Sequence, residues 1–131
     1  MAGSRGEIMD GLFTSIPRRD RLGLFDDGNP KGTAIVAFLE LRNQDVAKAA
    51  NVARSSVRYD LRMPDVLKDW LLQVGTAIDL VAEFFDDSKK ASLWFRTPNP
   101  LLGNITPIEM IRMGRIKKLL NVIQTAIEEN R

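Results

Sequence analysis

The chain has 131 residues, 44% of them apolar and 27% charged, a size and balance that fit one domain or two small helical modules sharing a core. It has no cysteine and no histidine, which excludes disulfides, thiolate zinc sites, iron–sulfur clusters and the usual neutral-pH general base, so a protein that is not an enzyme and needs no cofactor is expected. The net charge of +2 is uneven (−1 over 1–30, +3 over 31–64, −3 over 65–92, +3 over 93–131), and no apolar run reaches signal-peptide or transmembrane length, so a cytoplasmic protein without membrane contact is expected.

Residues 1–31 hold Gly3, Gly6, Gly11, Gly23 and Gly28 with Pro17 and Pro30, too many breakers for a long helix. They read as an arm whose clusters Leu12-Phe13 and Leu22, Leu24, Phe25 are able to dock on a body. From Thr33 the spacing of Ile35, Val36 and Leu39 predicts a helix, and Asn43 is read as N-cap of a short one over Gln44–Ala50. A turn at Asn51-Val52 and a further helix over about 53–61 follow, closed by Met63-Pro64. Leu67, Trp70, Leu71, Val74, Ile78, Val81 and Phe85 recur at three- and four-residue steps and predict one long helix over 65–85. Its further apolar positions, Val66, Leu72, Ala77, Leu80 and Phe84, make it greasy on more than one face. The polar stretch 86–90 leads to a short segment, 92–96, and a corner made by Pro98 and Pro100. Thr106-Pro107-Ile108-Glu109 places Thr at the N-cap, Pro at the first helical position and Glu at the third, a full capping box. Gly114 ends or kinks that helix, and the last runs from Arg115 to about Glu129.

The register Ala47, Asn51, Val57 meets the spacing of a helix-turn-helix, with Asn standing in for the more usual Gly because it tolerates left-handed geometry. On that register Arg54, Ser55, Ser56, Arg58, Tyr59 and Arg62 would face a DNA groove, arginine suiting guanine edges or phosphates and serine either. An ordinary helical hairpin with a solvated arginine face accounts for the pattern equally well. A unit this small that reads DNA implies a dimer.

The run Leu93-Trp94-Phe95-Arg96-Thr97-Pro98-Asn99-Pro100-Leu101-Leu102-Gly103, then Thr106-Pro107-Ile108-Glu109, Gly114 and a terminal amphipathic helix, resembles the toxin-binding domain of the Xre/MbcA/ParS antitoxins. The resemblance covers about residues 66–131. It implies an all-α fold: an Xre-like helix-turn-helix over 32–64, after the arm 1–31, followed over 65–131 by a long connecting helix and a small helical toxin-binding module. It also implies a type II antitoxin that covers the active site of a cognate toxin, of the RES-domain, NAD-consuming kind, and represses its own promoter as a homodimer in a larger complex. Candidate toxin contacts under this resemblance are Trp94, Pro98, Asn99, Leu102, Gly103, Pro107 and the tail residues Ile127, Glu128 and Arg131. The competing expectation is a free-standing transcription regulator with a dimerising C-terminal module.

Overall fold

The computed structural model describes residues 20–130; the expectations for residues 1–19 of the arm and for Arg131 lie outside the described residues. Among the described residues six α-helices carry the fold: α1 (Gly32–Leu39), α2 (Asn43–Ala50), α3 (Asp65–Phe85), α4 (Ser88–Phe95), α5 (Pro107–Arg112) and α6 (Ile116–Glu129). The protein is all-α apart from a small hairpin, β1 (Phe25–Asp26) against antiparallel β2 (Asn29–Pro30).

Over 20–31 the chain forms this hairpin, a feature the sequence reading did not single out, and the cluster Leu22, Leu24, Phe25 docks on the body as that reading allowed. Asp27 and Gly28 take positive φ of 53° and 83°, the left-handed pair that turns a two-residue hairpin loop. The Asp20 carboxylate accepts from the N–H groups of Leu24 (2.7 Å) and Phe25 (3.1 Å), and Arg21 pairs with Asp86 at the far end of α3. Leu24 is thereby buried, and the Phe25 ring lies on α3 at Gly75, where a Cβ would come within 2.9 Å of Phe25 Cζ and 3.1 Å of Ile35 Cδ1. The small residue is what lets the hairpin close on the helix.

The spine α3 buries Leu67, Trp70, Leu71, Val74, Ile78 and Val81, the expected stripe, while Phe85 is half-buried. Helices α1, α2, α4 and α6 all pack on it, so one cluster of buried side chains runs from Leu24 to Ile123. Burial of each such aliphatic side chain contributes about 1.5–3 kcal/mol. Within this stripe sits Asp79, 2% exposed, its carboxylate oxygens unpartnered among the described residues. Burial, with the nearby charges of Asp20 and Glu83, pushes its carboxyl up to about 7.

Helix α2 starts one residue early. Arg42 takes the cap position, its N–H donating to the Asp45 carboxylate at 2.9 Å, so Asn43 is helical and is not the N-cap. Asn51 closes α2 in left-handed geometry (φ 58°, ψ 49°), as the turn register requires. The helix expected over 53–61 does not form: Arg54–Ser56 is a single 3-10 turn and Val57 is already extended (φ −79°, ψ 102°). The local chemistry accounts for this. Ser55 and Ser56 compete with helical hydrogen bonding, Val57 is β-branched, and 57–63 alternates apolar and polar with a period of two. Asp60 then accepts from Arg58 Nε (2.9 Å) and Nη2 (2.6 Å) and from the Arg62 N–H (2.9 Å), while the Tyr59 ring packs against Gly32.

The polar stretch 86–90, read as a link, is a helix corner. Asp86 takes a left-handed φ of 54°, and the Asp87 carboxylate accepts from the N–H groups of Lys89 (2.8 Å) and Lys90 (3.2 Å) as N-cap of α4. Arg96 at the end of α4 donates to Phe38 O (2.8 Å) and Ser92 Oγ (2.7 Å), tying α4 to α1. The capping box forms as the sequence pattern predicts: Glu109 N–H donates to Thr106 Oγ1 (3.1 Å) and Thr106 N–H to Glu109 Oε1 (3.0 Å). Gly114, at φ 76°, reverses the chain into α6 beside Ala49 of α2.

Candidate functional site

At the C-terminal end of α3 three elements leave a gap between them. Val81, Phe84 and Phe85 of α3, Trp94 of α4, Asn99 and Leu101 of the proline corner, and Val122, Ile123, Ala126, Ile127 and Asn130 of α6 line a groove of about 210 Å³. Its walls are almost wholly apolar. Three large apolar side chains stand exposed at this end of the protein: Phe84 (49%), Leu93 (67%) and Leu101 (68%). A second depression, sharing Leu101, Val122 and Ala126, continues over α6 towards Lys118 and Glu129. Apolar side chains gathered at the surface in this way mark an interaction surface more often than scattered ones do.

The local sequence builds each wall. The Phe84 and Phe85 rings meet edge to face at 5.3 Å, and Trp94 meets Phe95 edge to face at 5.1 Å, while Phe95 is itself buried against Phe38. Trp94 is thus a fixed edge of the groove. The corner is held by Asn99, whose Oδ1 accepts from the Leu101 N–H (2.9 Å) and whose backbone N–H donates to Ile105 O (3.0 Å). With Pro100 starting a 3-10 turn and Gly103 at φ 77° ending it, Leu102 points into the core and Leu101 out of it.

Of the candidate contact residues, Trp94, Asn99 and Ile127 meet in this groove. Pro98, Gly103 and Glu128 are exposed beside it in the chain, Leu102 and Pro107 are buried and hold the corner and the start of α5, and Arg131 lies outside the described residues. Sequence reasoning missed Phe84, Leu101, Val122 and Ala126. Phe84 had a signal, since it stands off the core stripe of α3, and Leu101 adjoins the selected Leu102.

The six candidate DNA contacts divide differently. Arg54, Ser55 and Arg62 are exposed and Ser56 is half-buried. Arg58 is held by Asp60, a hydrogen bond that raises the guanidinium above and lowers the carboxyl below its ordinary value. Tyr59 is turned inward, and burial raises its phenol. These residues sit on a 3-10 turn, the irregular stretch after it and the turn at Asp60–Met63 rather than on one helical face. A wider depression of about 910 Å³ lies beside them, between the hairpin, the start of α1 and the start of α3, lined by both charged and apolar side chains. No helix among the described residues is long and apolar enough to cross a membrane.

The sequence model described as "Antitoxin Xre/MbcA/ParS C-terminal toxin-binding domain" matches residues 80–124, the span that contributes most of the groove. Among solved structures, a chain of the M. tuberculosis MbcT-MbcA toxin-antitoxin complex is similar to this one at a TM-score of 0.48 and 22% identity, covering 74% of this chain and 90% of that one. No curated protein matches. Residues 80–124 are thus similar to the C-terminal toxin-binding domain of the Xre/MbcA/ParS antitoxins.

Proposed function

We propose that this protein is the antitoxin of a type II toxin–antitoxin pair and that its toxin docks on the groove between α3, α4 and α6. The carrying observation is the coincidence of the family-matched span with an apolar groove edged by exposed Phe84 and Leu101. A fixed tryptophan beside exposed aliphatic side chains is the usual anchor of a protein contact. Asn130, which caps the end of α6, lines the groove. A toxin seated there would have the exposed Glu128 beside it.

The toxin class favoured is the RES-domain, NAD-consuming one that accompanies such antitoxins, and the protein acts by binding rather than by catalysis. Autorepression as a homodimer is the second half of the proposal. It rests on exposed Arg54, Ser55 and Arg62 next to the turn at Asn51. The free-standing regulator is the competing reading, and the toxin assay decides between them.

The test is co-expression with the adjacent toxin gene. The parent chain restores growth and NAD levels, and Leu101→Asp, which places a charge at the groove's edge without touching the core, abolishes rescue while leaving thermal unfolding unchanged. Full rescue by Leu101→Asp would remove the groove from the proposal, and failure of the parent chain to rescue would remove the antitoxin reading itself. Operator binding is tested apart, with Arg54→Ala expected to weaken it and to spare toxin binding.

A further inference from the structure

The two segments whose charges each sum to +3, residues 31–64 and 93–131, meet where α5 packs on α2. There Arg112 Nε lies 4.0 Å from Asp45 Oδ2, and the turn at Gly114 rests on α2, a Cβ at that position standing 3.5 Å from the Ala49 carbonyl oxygen. We infer that this face, with Arg42, Lys48, Arg54, Arg112 and Arg115, is a docking surface for the phosphate backbone of duplex DNA; the inference extends the DNA-binding half of the proposed function from the turn at Asn51 into the span similar to toxin-binding domains. All five side chains are exposed. The carboxylate nearest them is already engaged: Asp45 accepts from the Arg42 N–H at 2.9 Å and lies 3.9 Å from Arg42 Nε. Among the described residues, Lys48, Arg54 and Arg115 have no ion-pair partner.

Residues 41–54 and 107–118 together hold seven cationic side chains against two acidic ones, Asp45 and Glu109. Part of this charge works against the helix that carries it. Arg115, Lys117 and Lys118 open α6, whose first turn has no acidic residue, at the end where the helix dipole disfavours positive charge. Arg42 at the cap and Lys48 in the last turn of α2 stand about 9 Å apart along the helix, with Arg112 and Arg115 on the neighbouring elements. Charge spread in this way matches a row of phosphates better than one small anion. Four of the five are arginines, whose planar guanidinium gives a phosphate two N–H donors at once. A protein partner would lack anchors here: Met113 is the one large apolar side chain exposed in these two stretches, whereas the groove end exposes three. The basic face and the groove also lie at opposite ends of α6, a helix roughly 20 Å long, since Arg115 caps its start and Ala126 and Ile127 line the groove near its finish. DNA and toxin are thus offered separate ends of the molecule.

The test is the salt dependence of binding by the full chain to two labelled duplexes of equal length, its own promoter and an unrelated sequence, followed by fluorescence anisotropy. Arg112→Gln with Arg115→Gln should flatten the slope of log K against log salt by about 2 and weaken both duplexes alike, since each lost phosphate contact removes about 0.9. Lys89→Gln with Lys90→Gln, the same loss of charge at the exposed start of α4, should leave the slope as it is. Arg115→Gln alone, which leaves the contact of Arg112 with Asp45 in place, should give about half the change and keeps the test open if the double variant does not fold by circular dichroism. A parent chain that binds neither duplex, an unchanged slope in the Arg112 and Arg115 variants, or an equal loss in the Lys89 and Lys90 variant overturns the inference; an unchanged slope with lost rescue from the toxin would assign the face to a protein partner instead. The promoter reading fails separately: a parent chain that binds both duplexes equally removes it, and the backbone surface stands if the slope still falls.

Discussion

Asp79 makes the stability of this protein depend on pH in an unusual direction. The carboxyl is 2% exposed, and burial, then Asp20 and Glu83, raise it from the ordinary 3.8 to about 7. The folded chain therefore holds this proton more tightly than the unfolded chain does. Stability from this group is fullest below the unfolded value and is lost as pH rises through the folded one. The full span corresponds to about 4 kcal/mol, of which about 2–3 kcal/mol falls between pH 5 and pH 8. Urea unfolding at those two pH values should show the parent chain weaker at pH 8 by about that amount. Asp79→Asn keeps the shape and removes the ionisation, so it should match the parent to within about 1 kcal/mol at pH 5 and exceed it at pH 8. A parent chain equally stable at both values, or an Asn variant that keeps the full slope, would refute the reasoning.

Thr106→Ala removes one side of the capping box and should cost about 1 kcal/mol in urea unfolding, with Thr106→Ser restoring most of it. Gly75→Ala would gain up to about 1 kcal/mol from helix propensity but meets Phe25 and Ile35, so a net loss of about 1–2 kcal/mol is expected. A gain in stability would mean that the hairpin does not rest there, and Phe25→Ala in the same chain should recover part of the loss. Arg96→Ala leaves the Phe38 carbonyl without its donor and should destabilise by about 1–2 kcal/mol, with faster amide exchange in α4 than in α3.

The parts legible in the sequence are those in which one local rule suffices. The stripe from Leu67 to Val81 is long and strictly spaced, so α3 could be bounded to the residue, and Thr106-Pro107 with Glu109 specifies its own hydrogen bonds. The misread parts are those in which a distant side chain decides. Residues 53–61 have enough apolar positions for a helix, but Tyr59 packs against Gly32, far off in sequence, and Asp60 gathers the neighbouring donors. The Asp27-Gly28 turn was a local hairpin signal obscured by the glycines around it. The groove was half legible. Trp94 and Asn99 stand in the motif, but Phe84 and Ala126 join them only because α3 and α6 pack side by side, a pairing that no spacing within either helix encodes.

The family-matched span begins at residue 80, yet α3 runs unbroken from Asp65 to Phe85. The boundary of similarity thus cuts through a rigid rod. A fragment starting there would keep Val81 and Phe84 but lose Leu67, Trp70, Leu71, Val74 and Ile78, the face on which α1 and α2 pack. Hybrids that exchange this domain between this chain and others that match the same domain model should therefore be joined before Asp65, in the loop at Pro64, so that the whole rod travels with the groove it supports. The same continuity means that a load at the groove end is borne by the entire core, and a bound partner should raise the unfolding temperature of the chain as one transition rather than protect its last third alone.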